Sequence, residues 1–219
     1  MKTRTNLGYH FTKDTLRDGS PIPPIGEWLE HKGDVKLCRS GLHFSRHPFD
    51  ALSYTPGTLL HLVEVDDIVE EDKSKGVCRR RKIIATIDAK KLLRECARKW
   101  ALDVLDKWDA PDVVVKWLKT GDESLRSAAY SAAYSAADSA ADSATYSAAY
   151  SAAAEAAASA AYSAADSAAY SAVCSATASA AYSATASAAS AADSASLIAA
   201  QREYFAQKVN EAFNTETGE

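Results

Sequence analysis

Cys38, His43 and His47 are separated by four and three residues, so one thiolate and two imidazoles could serve as zinc ligands. Cys78 or His10 could supply a fourth ligand. No CxxC pair accompanies them, and a structural role competes: His43 and Phe44 packing in a small β core, with His47 capping the turn before Pro48. The structural role is the expectation, and no metal or other cofactor is assigned. Arg79-Arg80-Arg81-Lys82 is a second constellation, able to contact phosphate or nucleic acid. It equally suits neutralisation of the acidic run Asp66–Asp72, which has five carboxylates in seven residues. Neutralisation is favoured. Trp100, Trp108 and Trp117 recur at helical spacing and are expected as a hydrophobic seam joining two domains.

The elements that must position these residues follow from pattern. Tyr9–Thr12 predicts a short strand, and Asp18–Gly26, with Gly19 and three prolines, an irregular crossing. Val35–Cys38 and Gly41–Ser45 are apolar stretches split at Ser40-Gly41, and Pro48–Tyr54 fits one short helix. Thr58–Val65 and Lys82–Ile87 are the best strands, with a loop over 72–76. Asp88 is placed to cap a helix striped by Leu92, Leu93, Cys96, Trp100 and Val104. Pro111 opens a second helix, Gly121 ends it, and Asp122 caps a third.

From Ser127 to about Ser196 the chain repeats Ser-Ala-Ala-X. X is Tyr at 130, 134, 146, 150, 162, 170 and 182, Asp at 138, 142 and 166, and elsewhere mostly Ala. Alanine is the best helix former and the array has no Gly or Pro, so helix is expected throughout. A period of four overshoots the 3.6-residue turn by about 40° per repeat. On one rod, roughly 100 Å long, the tyrosines would spiral around the axis. Several shorter helices whose i, i+4 ridges of small side chains interlock are favoured instead. Breaks are expected near Ala141–Ser147, Ser171–Ser179 and Ser190–Ser196. The same drift removes the flat face that ice binding needs. The tyrosines Tyr130, Tyr134, Tyr146, Tyr150, Tyr162, Tyr170 and Tyr182 are the candidate interaction surface, with packing between helices as the alternative.

Three resemblances extend this reading. Cys38-Arg-Ser-Gly41-Leu-His43-Phe44, Pro48-Phe-Asp50-Ala51-Leu52, Leu62-Val63-Glu64-Val65 and Asp72-Lys73 resemble, in that order, an uncharacterised domain of phage and prophage proteins. That family often precedes low-complexity repeats and usually carries Cys where this chain has Ser45. Cys96-Ala97, Val104-Leu105, Pro111, Trp117-Leu118, Gly121 and the alanine-paired stretch resemble the helical immunity proteins of bacterial toxin systems. Tyr9-His10-Phe11-Thr12, Gly41-Leu42-His43-Phe44-Ser45 and Glu64 follow an order similar to ADP-ribosyltransferase-like folds. That last likeness implies NAD binding and catalysis by His10, His43 and Glu64, the Glu orienting the ribose.

The chain has 219 residues and a net charge of −4, made up of +3 over residues 1–126 and −7 over 127–219. Such a balance argues against general nucleic-acid binding. Four scattered cysteines fit reduced thiols, and the array is too polar to cross a bilayer, so a cytoplasmic protein is expected. The expected fold class is a small α+β N-terminal domain followed by an all-α, alanine-rich multi-helix array. The expected divisions are 1–88 (α+β), 89–121 (two-helix connector), 122–196 (array), 197–213 (amphipathic helix) and 214–219 (frayed tail). The expected function is a non-enzymatic phage or prophage accessory protein acting through protein–protein contacts, as an inhibitor or immunity-like binder. Its protein partner is unidentified, and homo-oligomerisation is compatible. The alternatives are the NAD-using enzyme of residues 9–65 and a structural virion component.

Overall fold

A computed structural model describes residues 6–103, 105, 110–142 and 191–217. These divide into two compact units, one of residues 6–90 with 204–217, the other of the described residues between 91 and 203.

The first unit is built on β1 (Leu7–Thr12), β2 (Trp28–Glu30), β3 (Leu42–Phe44), α1 (Pro48–Leu52), β4 (Leu59–Glu71) and β5 (Gly76–Asp88). All pairings are antiparallel, in the order β1-β4-β5-β2, with β3 also paired to β5. The β4–β5 hairpin dominates. Its turn is held by Asp72, whose N–H donates to the Lys75 carbonyl (2.8 Å) while its carboxylate accepts from the N–H groups of Ser74 (2.7 Å) and Lys75 (2.8 Å). Tyr9 and Ser45 exchange both backbone hydrogen bonds (2.8 and 2.9 Å), so the chain just after β3 also meets β1. The curled sheet thereby encloses Phe44, Val63, Val65, Cys78 and Ile83. Two glycines make room for the Phe44 ring. A Cβ on Gly8 would lie 2.8 Å from Phe44 Cδ2, and one on Gly76 would lie 2.5 Å from its Cζ. In residues 204–217, Phe205, Val209 and Phe213 are buried, and Phe205 meets Phe49 edge-on at 6.4 Å.

The second unit holds α2 (Lys90–Asp103), α3 (Asp112–Thr120), a 3₁₀ turn (Glu123–Leu125), α4 (Arg126–Asp142) and the start of α5 (Ala191–Thr217). The caps are those the sequence implies. Asp88 accepts from the Lys90 N–H (3.0 Å), Gly121 turns left-handed at φ +66° while its N–H donates to the Trp117 carbonyl (2.8 Å), and Asp122 accepts from the Ser124 N–H (2.9 Å). Ala101, Val114, Trp117, Leu118, Ala129 and Ala133 form the core. From the described part of the repeat, alanines at i and i+4 (Ala129 and Ala133) share the core with Trp117, while Tyr130 is half-buried.

The α+β character of the N-terminal region is as expected, but several boundaries move. The hairpin strands each run 13 residues, taking in the acidic and basic runs expected outside them. β2 was not foreseen: three residues after a proline-rich stretch give no periodic signal, and β5 supplies the edge they pair with. The apolar stretch Val35–Cys38 runs into a turn closed by Lys36 and Ser40, with Cys38 at φ +65°. α5 runs unbroken through 191–196, so no break falls there and 196/197 is not a boundary. Isolated Ser and Asp among alanines do not stop a helix. The same helix extends to Thr217, into the expected frayed tail. Trp117 belongs to the helical unit's own core. Trp108 and residues 143–190, with the two other expected breaks and Tyr146, Tyr150, Tyr162, Tyr170 and Tyr182, lie outside the described residues, as does the side chain of Tyr134.

Candidate functional site

The basic run Arg79–Lys82 lies on β5 opposite the acidic part of β4. Arg79 reaches Asp67 (3.3 Å), Arg80 reaches Asp66 (2.8 Å) and Lys82 reaches Glu64 (2.7 Å). The last pair is the most enclosed, each side chain 16% exposed. Trp28, paired with Lys82 across β2–β5, receives Arg80 and Lys82 over its ring, each 4.6 Å from the centroid. For three of the four cations, cross-strand neutralisation is the outcome.

Arg81 is the exception. It is 6% exposed, makes no ion pair among the described residues, and its one hydrogen bond runs from Nη1 to the His43 carbonyl. Burial lowers it to about 10. Burial pushes the neighbouring Cys78 thiol up to about 11, so it is neutral at neutral pH and supplies Arg81 no counter-charge.

Three histidines share the surroundings of Arg81. His10 of β1 lies directly across from His61 of β4, which lies across from Thr86 of β5. Directly opposed residues project to the same face of a sheet, so all three share one. The His10 and His61 rings stack 6.5 Å apart at 26°. His61 is 1% exposed and clamped: Nε2 lies 2.8 Å from the Thr12 hydroxyl and Nδ1 2.8 Å from the Thr86 hydroxyl. Thr12 donates its own proton to the Lys13 carbonyl (2.7 Å), so it accepts from His61 Nε2–H, and Thr86 donates to Nδ1. That tautomer is neutral, in keeping with a pKa lowered to about 4 by burial and by Arg81. His10 is also held well below its ordinary value, by desolvation first and then by Arg81, His61 and His43. His43 is lowered by desolvation and by Arg81, Lys75 and Arg17, against a hydrogen bond to the Gly41 backbone that raises it.

The residues singled out from sequence therefore separate. His10 and His43 come together around Arg81. Glu64 does not join them. It opposes Leu7, three residues from His10 along an alternating strand, and so lies on the other face, paired with Lys82. The zinc candidates are engaged otherwise: His43 Nε2 accepts from the Cys38 backbone N–H (3.0 Å), and His47 Nδ1 accepts from the Phe49 N–H (3.2 Å) as the cap of α1. No group of three or more His, Cys, Asp or Glu among the described residues is arranged to hold a metal. His61, Thr12 and Thr86 were missed. The one signal was a histidine breaking an otherwise apolar run, Leu59-Leu60-His61-Leu62-Val63.

Residues 6–95 match a family described as a Domain of unknown function (DUF7666), and the whole cluster lies within them. No curated protein and no solved structure matches the chain. No helix among the described residues is long and apolar enough to cross a membrane.

Proposed function

We propose that the chain is a non-enzymatic binding protein acting through protein–protein contact, an accessory protein of the phage or prophage class that its sequence resembles. The observation behind this is the surface around β2. Trp28 is 37% exposed between two cations, with Ile25 at 62% and Ile84 at 37%. The Gly26 N–H donates to the Ile83 carbonyl (2.9 Å), which ties the backbones beside the two isoleucines together. A half-exposed Trp with Arg beside it, apolar neighbours and a charged rim has the composition of an interface hot spot. The NAD-using alternative is weakened because Glu64, its proposed ribose ligand, lies on the sheet face away from His10. The array tyrosines remain a second candidate surface, of which Tyr130 is half-buried in α4.

The test is in-cell crosslinking followed by mass spectrometry, comparing the unaltered chain with Trp28→Ala, Ile25→Ser and Tyr130→Ala/Tyr134→Ala. Crosslinks from residues 25–30 and 84 to one partner, lost in Trp28→Ala at unchanged circular dichroism, are expected. Identical crosslinks from every variant would refute a contact role for both surfaces. NAD titration of the full chain should give no saturable heat; binding abolished by Glu64→Gln would restore the enzyme reading.

A further inference from the structure

We propose that Arg81 and His10 form a binding site for the phosphate group of a ligand, in the interior face of the β1–β4–β5 sheet. An arginine keeps its charge when buried, and a buried charge needs a counter-charge or a full set of acceptors. Arg81 has one acceptor, the His43 carbonyl, and no carboxylate partner among the described residues. Its remaining N–H groups have no hydrogen-bond acceptor among the described residues, and the side chain keeps 6% of its surface exposed. The same strand shows the contrast: Arg79, Arg80 and Lys82 each found an acid on β4, and Arg81, opposite Val65, did not.

The neighbours narrow the ligand. His61 is clamped by two threonines, and His43 has its Nε2 occupied by the Cys38 N–H. His10 is the half-buried ring of the three with no hydrogen bond to a described residue. His61 stacks behind it and sets its plane. The charges felt by Arg81, His10 and His61 come from bases and a thiol, with no acid among them, and the exposed Arg17 adds a further cation near His43. A carboxylate would satisfy one guanidinium edge with its two oxygens. A phosphate brings a further acceptor oxygen for the His10 N–H and a second negative charge for a wholly basic surround. His43 is a positioning residue, since its carbonyl aims Arg81.

This inference is independent of the Trp28 surface. The full chain is titrated with sodium phosphate and, separately, with phenyl phosphate at fixed ionic strength, with acetate as the carboxylate comparison. Histidine side-chain ¹⁵N–¹H spectra and thermal denaturation report binding. Saturable shifts of His10 and His61 with phosphate, and a rising Tm, are expected. Binding by phenyl phosphate tighter than by phosphate marks a phosphomonoester ligand; the reverse marks the free ion. Arg81→Met and His10→Gln should each weaken binding by about tenfold or more, the scale of one charge-assisted contact. Absent saturation, equal response to acetate, or undiminished binding in both variants overturns the proposal. If Arg81→Met does not fold, His10→Gln decides, because that ring makes no hydrogen bond to a described residue and its one ring contact is the stack on His61.

Discussion

Four consecutive cations on β5 end in two environments. Arg79, Arg80 and Lys82 are matched across the hairpin by Asp67, Asp66 and Glu64, and Trp28 lies against two of them. Arg81 turns inward beside three histidines and finds one backbone carbonyl. Strand alternation separates Arg81, opposite Val65, from Arg80 and Lys82, whereas Arg79, which has the same parity as Arg81, meets Asp67 where β4 is irregular at a left-handed φ of 52°. A cation that meets an acid in half-exposed surroundings is a modest structural contact. One that is buried without an acid is a standing cost unless something else supplies the negative charge.

Acid should separate the two environments most strongly. The folded state holds His61 at about 4 against an ordinary 6.5, so between those values the unfolded chain binds more protons and stability falls as pH falls. The loss is about 3 kcal/mol for His61 alone, and the lowered His10 and His43 act in the same direction. Urea midpoints at pH 7 and pH 4.5 measure it. A flat profile, or one that His61→Gln does not flatten, breaks the comparison at its inner side. Next is Lys82→Met, which leaves the largely enclosed Glu64 carboxylate without its cation and should cost about 2 kcal/mol by the same denaturation. Arg79→Ala and Arg80→Ala remove pairs that are roughly half exposed, and each should cost less than about 1 kcal/mol, diminishing further in high salt. The smallest effect is expected from the most buried member. Arg81→Met exchanges an unmatched buried charge for an apolar chain of similar reach, so stability in phosphate-free buffer should hold or rise. A loss above about 2 kcal/mol would mean that Arg81 is a structural strut.

Much of the frame was readable because it rests on local chemistry. Asp88, Gly121, Asp122 and His47 announce caps through side chains that can bond or through the absence of a Cβ, and each caps as expected. The strands around Leu60–Val65 and Ile83–Ile87 follow apolar patterning. What stayed hidden depends on partners distant along the chain. Glu64 looked like a companion of His10 through the ADP-ribosyltransferase-like order of their segments, yet the β1–β4 register puts them on opposite faces. Cys38 and His43 looked like ligands until a left-handed turn brought the Cys38 N–H onto the imidazole. In the repeat, the tyrosines attract attention, but Ala129 and Ala133 are the repeat residues buried in the core that holds Trp117, where small side chains let backbones approach.

The sequence by itself determined the strands around Leu60–Val65 and Ile83–Ile87 and the caps at His47, Gly121 and Asp122. These outcomes depend on neighbours a few residues apart or on patterning within one element. Tertiary structure alone decided that Arg81 escapes the neutralisation, that His61 joins two threonines and His10, and that residues 204–217 pack with the N-terminal unit. Register and sheet curvature are set by packing around Phe44, and a shift of one residue in that packing would exchange the inner and outer faces of every strand.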